Sequence, residues 1–495
     1  MSRFSQYTKN IGALLGQSFV QRILGMVTTI VLARILGSAS FGVYSIVVNT
    51  ASSAYGFVRL GVDSAIHVHM AEGHTDNTSR HRSEEILSAG LLLLLLAGVL
   101  GGLGCFLMAD WLAENIYGQQ ELAVWIRAAG IVVFLQCVFQ FCYTAMAGLH
   151  QFIDYARIMV VSAIFNVFAI TGGAFYAGLS GAVVAMIGAQ IFMVVWLSWG
   201  LKNVLHIESL QLTLRNFIAQ SRLLLKFGFP FYAAGLVSIP VAYYLQGLVV
   251  QHAGLESLGY LRIIMALVVI VTFIPASAAA PMISMLTRTR MEDESTLADK
   301  IMRNVKLVFI IALVMATVVI LVLPWLIPFL FGHEYVEATG AAALAMITAI
   351  LMAVIGVIGN ALFSAKRIDL IFFSTLIQAG VFFIAGVLLI PIYGLLGYLV
   401  AELIGLLVIL VVVYYHSLSW LRMNAVQFSW LRKMLIPLAL LTAYSINQVS
   451  YNGIPSINNS LVGFAGLIFI CIWGYKVVLD NVERNVIRRW LGVNN

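Results

Sequence analysis

The sequence predicts an all-α polytopic membrane protein of about 14 transmembrane helices, built as two pseudo-symmetric six-helix lobes plus two C-terminal helices. Three observations carry this. The 495 residues are 61% apolar and 10% charged, with a mean hydropathy of +0.98, so the solvent for most of the chain is lipid. Apolar runs of about 20 residues, the length that crosses a bilayer as a helix, recur along the whole chain. Two glycine motifs recur at nearly one spacing. Gly37-x4-Gly42 returns as Gly254-x4-Gly259, an offset of 217, and Gly178-Leu179-x-Gly181-x3-Ala185 returns as Gly394-Leu395-x-Gly397-x3-Ala401, an offset of 216. A near-constant offset at both ends of a long block points to two copies of one membrane bundle.

The first six spans are expected near 11–36, 41–62, 86–109, 123–147, 156–177 and 179–201. The next six are expected near 227–251, 257–283, 305–331, 339–363, 370–391 and 394–416, and two more near 434–450 and 459–479. The offset equals six spans plus a connection. Six is even, so the second copy enters the membrane in the orientation of the first, about an axis along the membrane normal. This divides the chain into an N-terminal lobe (1–201), a cytoplasmic linker (202–226), a C-terminal lobe (227–420) and two extra helices with a cytoplasmic tail (421–495). The linker mixes Leu205, Ile207, Leu210 and Phe217 with basic residues. It reads either as an amphipathic stretch on the inner membrane face or as a tether.

Loop charges test the span count. With both termini inside, the inner loops and tails carry every Lys and Arg but five, while the outer loops hold Asp110, Glu114, Glu121, Glu256, Glu334 and Glu337 and no basic residue. A wrong count would scramble that alternation. The net charge of +7 is therefore read as orienting charge, not as a nucleic-acid footprint. Cys105, Cys137, Cys142 and Cys471 sit in apolar stretches without metal-ligand spacing and read as small buried residues. The N-terminus reads as an uncleaved first helix. His67, His69, His74 and His81 share one inner loop at spacings that fit no zinc motif. No metal, cofactor or catalytic arrangement is predicted, and the outer loops are too short for a polymerase or ligase site.

The five remaining arginines, Arg22, Arg34, Arg59, Arg127 and Arg262, fall within spans. An arginine at mid-membrane costs about 3 kcal/mol or more, so it should face a bundle interior or an aqueous cavity. Arg22 is the deepest. Arg34, Arg127 and Arg262 lie near outer ends, where snorkelling is the competing account. Arg59 has Asp63 four residues on, and an i,i+4 ion pair explains it without a substrate. Glu402 is the one acid placed well inside a span, either as an internal partner for an arginine or as a coupling site for H+ or Na+. Five cations against one acid suit an anionic ligand, and guanidinium matches phosphate. Asn49, Gln136, Gln140, Gln190 and Gln246 read as helix–helix hydrogen-bond formers. All nine prolines lie from Pro230 onward, and Pro240 falls mid-span, as a hinge or as a proline tolerated by packing.

The run Gly16-Gln17-x3-Gln21-Arg22-Ile23-Leu24-Gly25, followed by Leu32-Ala33-Arg34-Ile35-Leu36-Gly37-x3-Phe41-Gly42-Val43-Tyr44, resembles polysaccharide-transporter (Wzx-type) flippases. These belong to the multidrug/oligosaccharidyl-lipid/polysaccharide exporter superfamily. Leu330-Phe331-Gly332-His333-Glu334-Tyr335 and the Gly-Leu-x-Gly motifs are similar too. The resemblance implies a two-lobed, MATE-like alternating-access transporter in the bacterial cytoplasmic (inner) membrane. Its implied substrate is an isoprenoid-pyrophosphate-linked oligosaccharide, carried to the outer leaflet for O-antigen, capsule or exopolysaccharide assembly, with membrane lipid and polysaccharide polymerase machinery as partners. A lipid II flippase and a cation-coupled multidrug exporter are the alternatives. Thr28-Thr29 stands where lipid II flippases usually carry an Arg-Asp pair, and spans one and seven lack the embedded acids of drug exporters.

Overall fold

A computed structural model describes residues 3–63, 65–66, 77–148, 152–202, 214–277, 279–292, 297–365, 367–420, 437, 439–445, 466, 469 and 473. Every regular element among them is helical. In chain order these are α1 (Arg3–Val58), α2 (Asn77–Leu107), α3 (Ala123–Gly148), α4 (Phe152–Lys202), α5 (Leu214–Ser277), α6 (Ala279–Glu292), α7 (Leu297–Leu330), α8 (Ala338–Ser364), α9 (Ile368–Tyr393) and α10 (Leu395–Trp420). Helices are the outcome lipid dictates, because no water is present to satisfy an open backbone. Span hydroxyls follow the same rule. Thr28 donates to the Leu24 carbonyl, Thr171 to Val167, Ser257 to Ala253 and Thr317 to Leu313, each one turn back.

Nine helices among the described residues are long and apolar enough to cross a membrane. Three of their apolar stretches, of 43, 49 and 39 residues, are too long for one crossing. Each breaks at a glycine. α1 breaks at Gly37 (φ 73°, ψ 170°), α4 at Ala177–Gly178 (Gly178 φ 57°, ψ −137°) and α5 at Gly254 (φ 79°, ψ 170°). The nine helices therefore make twelve passes, in the order expected for spans one to twelve. About half of span thirteen (437 and 439–445, helical) and three residues of span fourteen fall within the described residues. Residues 203–213 of the linker lie outside them, whereas its remainder from Leu214 is helical and runs on into α5 without a break.

The repeat is written in the backbone. Gly37 and Gly254 share one left-handed conformation to within a few degrees. Gly178 shares its own with Gly394 (φ 54°, ψ −126°), which ends α9 and opens α10. Only glycine adopts these angles without penalty, which is why these positions survive in both copies of the motif.

The described chain forms two compact units, Met1–Ile263 and Ile264–Asn495. In the first, α1 packs on α2, α3 and α4, α2 lies along α3, and α3 touches α4. Ile66, Leu87, Phe141, Met146, Leu197 and Leu224 form its buried cluster. The same unit contains most of α5, tied to the earlier helices along its length. At one end the Glu85 carboxylate accepts from Asn216 (2.8 Å) and Gln220 (3.1 Å). Further along, the Tyr232 hydroxyl donates to the Phe57 carbonyl, and Asn49 donates to Gln246 at 2.9 Å, a helix–helix bond of the kind expected for these amides.

The second half of α1 meets α5 beyond its break through reciprocal glycines. A Cβ on Gly42 would strike the Leu255 carbonyl, and a Cβ on Gly259 would strike the Ser38 carbonyl. Residues 38 and 255, like 42 and 259, are one repeat apart, so the contact is a two-fold-like crossing of equivalent segments. Small residues let backbones approach in lipid, where no hydrophobic force drives helices together. In the second unit α7 packs on α8, α9 on α10, and α8 also touches α6 and α10.

The connection after α2 is not a loose loop. It forms a helical turn (Ala109–Trp111), a π-turn (Leu112–Ile116), a left-handed Gly118 (φ 69°) and a 3-10 turn (Gln120–Leu122). Gln251 of α5 donates to the Asn115 and Ile116 carbonyls at 3.1 and 3.0 Å, and Gly247 leaves room for Ile116. After α7, Gly332 (φ 105°) likewise precedes a 3-10 turn (His333–Tyr335). Tyr117-Gly118 and Phe331-Gly332 are thus a third pair of equivalent positions, although the residues flanking them differ.

Candidate functional site

All five span arginines belong to the first unit, and Glu402 belongs to the second. Arg22 lies in the first half of α1 and is exposed, one residue after Gln21, whose side chain accepts a hydrogen bond from Gln17. Arg34 lies one turn before the Gly37 break and is also exposed. Arg262, on α5 beyond its own break, is half-buried, with the Tyr44 hydroxyl as an electrostatic neighbour.

Arg59 and Arg127 each hold a nearby carboxylate. Arg59 Nη1 reaches Asp63 Oδ2 at 3.2 Å, the i,i+4 bridge expected from the spacing, and its guanidinium lies 5.8 Å from the Tyr55 ring centre. Asp63 is nearly buried and also accepts from Gln140 at 3.4 Å. Arg59 Nε and Asp63 Oδ1 remain buried without a hydrogen-bond partner among the described residues, so the pair keeps one donor and one acceptor unused. Removing one member of such a pair strands the other. We expect Asp63→Asn to cost about 1–3 kcal/mol, read as a lower thermal midpoint of the detergent-solubilised protein. An unchanged midpoint would show that the pair is effectively solvated.

Arg127 donates through Nη2 to both oxygens of Asp110, at 2.8 and 2.6 Å, and lies over Phe106. The helical turn after α2 brings Asp110 back over α3, which residue spacing alone does not reveal. Outside the spans, Arg367 makes a two-nitrogen contact to Asp369, and that hydrogen bond holds the guanidinium above its ordinary value.

Glu402 sits two turns into α10, with Oε2 buried and without a hydrogen-bond partner among the described residues. Pro240 lies inside α5, where the backbone stays helical; the break in that helix is at Gly254. Among the described residues no three His, Cys, Asp or Glu side chains gather as metal ligands, and His67, His69 and His74 lie outside those residues.

One feature had no sequence signal. A cavity of about 450 Å³ opens in the first unit between the second half of α1, the end of α2 and the part of α5 around Pro240. Phe57, Val58, Leu100, Gly104, Cys105 and Pro240 are among its wall residues. Its polar fringe is Thr50, Ser53 and Tyr243. Thr50 and Tyr243 share a hydrogen bond at 2.9 Å, and Tyr243 meets the buried Tyr117 ring edge-on.

Helix order, glycine breaks and paired motifs define a multi-pass helical membrane fold, and known structures share it. The lipid II flippase MurJ in an inward closed conformation aligns over 97% of this chain and 99% of its own, with a TM-score of 0.72 at 13% identity. An inward-facing multidrug resistance MATE family transporter of the MOP superfamily aligns over 83% of this chain and 99% of its own, with a TM-score of 0.61 at 16% identity. A MOP superfamily transporter from Pyrococcus furiosus, described as having a binding pocket of reverse polarity, aligns over 85% and 96%, with a TM-score of 0.53 at 17% identity. The profile of the family described as "Polysaccharide biosynthesis protein" matches residues 7–287, and the chain belongs to that family. No curated protein matches it in sequence.

Proposed function

We propose that the protein is a flippase that moves isoprenoid-pyrophosphate-linked oligosaccharide units from the cytoplasmic to the outer leaflet by alternating access, for surface polysaccharide assembly. The observation that carries this reading is the cationic bias of the spans of the first unit in a chain of the polysaccharide biosynthesis family. Arg22, Arg34 and Arg262 contribute the charge that attracts the pyrophosphate. Asp63 and Asp110 offset part of the charge of Arg59 and Arg127. The site lies in a bacterial inner membrane with both termini cytoplasmic, as the loop charges favour. The 1–201 and 227–420 lobes are the moving bodies, and no bond is made or broken. Polysaccharide polymerase machinery takes the delivered unit.

Glu402 is the coupling acid in this scheme. A buried carboxylate oxygen, here Oε2, with no hydrogen-bond partner among the described residues is costly when charged, so the group favours taking up H+ or Na+. In liposomes, a pH or sodium gradient should speed leaflet exchange by the wild type and have no effect on Glu402→Gln. A gradient response retained by that variant would place coupling elsewhere. Pro240 acts as the hinge of α5, where it removes one backbone hydrogen bond. Pro240→Ala should slow exchange severalfold, and an unchanged rate would leave proline as a packing residue only.

The reading is tested in cells that assemble a surface polysaccharide. Depleting this protein should make lipid-linked glycan accumulate facing the cytoplasm, out of reach of an impermeant glycan-oxidising reagent. Glycan that reaches the outer leaflet at the normal rate without the protein would exclude it.

A further inference from the structure

The chemistry of the cavity beside Pro240 restricts what fills it. We propose that it binds the hydrocarbon chain of the polyisoprenoid substrate, with the anionic head of that lipid at Arg59. The proposal rests on the flippase reading and adds to it a place for the part of the substrate that a cationic cavity cannot hold.

Four observations carry it. The volume, about 450 Å³, falls in the roughly 300–1,000 Å³ range of small-molecule sites. Water is a poor occupant, since a buried water needs two to four polar partners and the wall is apolar nearly throughout. The rim is made of apolar side chains left exposed, Phe57 at 49% and Leu100 at 68%, so in a membrane the cavity opens toward lipid. Finally, a Cβ on Gly104 would meet nothing within 4 Å. A glycine inside a helix costs about 1 kcal/mol relative to alanine. Gly104 therefore leaves the groove open along this stretch of α2.

The two ends differ. At one, the Thr50 and Tyr243 hydroxyls bond to each other and offer little to a charged group. At the other, Val58 is followed directly by Arg59, whose side chain is 40% exposed and holds Asp63 through Nη1. A lipid with an anionic head and a long chain therefore has one favoured direction in the groove. On the cytoplasmic-termini topology, Arg59 lies at the inner end of span two, the side from which the substrate is loaded.

The test uses the full chain in phosphatidylethanolamine/phosphatidylglycerol liposomes and two photoreactive probes. One is a polyisoprenyl pyrophosphate disaccharide with a diazirine on its chain, and the other is a phosphatidylethanolamine with a diazirine on one acyl chain. Cross-linked residues are mapped by mass spectrometry, and leaflet exchange of the first probe is scored in the same vesicles. The first probe should label the Thr50–Val58 and Leu100–Leu112 segments, and unlabelled polyisoprenyl pyrophosphate should suppress that labelling about tenfold. Gly104→Leu, which fills the groove, should lower labelling and exchange together by a similar factor. The wild-type map decides the matter should that variant fold poorly. Exchange with labelling only elsewhere, or groove labelling by the phospholipid that the isoprenoid does not displace, overturns the groove and leaves the flippase reading standing. Groove labelling by the isoprenoid without exchange supports the groove and removes that reading. Neither labelling nor exchange overturns both.

Discussion

Gly42→Val, and equally Gly259→Val, is expected to prevent the protein from reaching its folded state in the membrane. Each glycine faces a backbone carbonyl across the crossing of equivalent segments, Leu255 for one and Ser38 for the other, and neither leaves room for a single extra carbon. A flexible side chain could move aside, but a carbonyl within a helix cannot without separating the helices. Overpacking a core usually costs about 1–3 kcal/mol, and a backbone obstacle belongs at or above the upper end of that range. The readout is the monodisperse fraction and thermal midpoint after detergent extraction. Gly172→Ala and Gly188→Ala are the controls, because a Cβ there would meet nothing within 4 Å. Both should be neutral or slightly stabilising, since alanine favours the helix. If Gly42→Val behaved like these controls, the close crossing would not exist in the membrane.

Arg22→Ala is expected to lower leaflet exchange by at least tenfold while leaving the thermal midpoint within a degree or two. The residue is exposed rather than packed in the core, so no large change in stability is expected. A charge-assisted contact contributes about 1.5–3 kcal/mol, and about 1.4 kcal/mol is a factor of ten. Arg22→Lys should recover only part of the rate, because a point charge replaces a planar fork of donors. Normal exchange by Arg22→Ala would move the phosphate site away from α1.

The architecture was legible in the sequence because lipid imposes a simple code. Span length, loop charge and the 216–217 offset each reflect one physical constraint, and Gly37, Gly254, Gly178 and Gly394 are visible since glycine is the residue that takes those angles at no cost. Arg59–Asp63 was anticipated from its four-residue spacing, but α1 ends at Val58, and the turn through Leu60 (φ 48°) and Gly61 (φ 72°), not a helix face, brings the two side chains together. Arg127–Asp110 was not, because the pair depends on how the turn after α2 folds back, and a 17-residue separation says nothing about that. The groove was hidden for a related reason. It is an absence of side chains where three helices distant in sequence converge, and Gly104 reads in isolation as one more small residue of a membrane helix.

The central claim is that the first unit's cations serve a lipid-linked pyrophosphate glycan. The most direct measurement reconstitutes the purified protein in liposomes with a fluorescent polyisoprenyl-pyrophosphate glycan, next to vesicles loaded with a cationic dye. The account predicts rapid leaflet exchange of the glycan lipid, strongly reduced in Arg22→Ala, and no flux of the dye. Dye flux without glycan exchange would contradict it and identify a cation exporter.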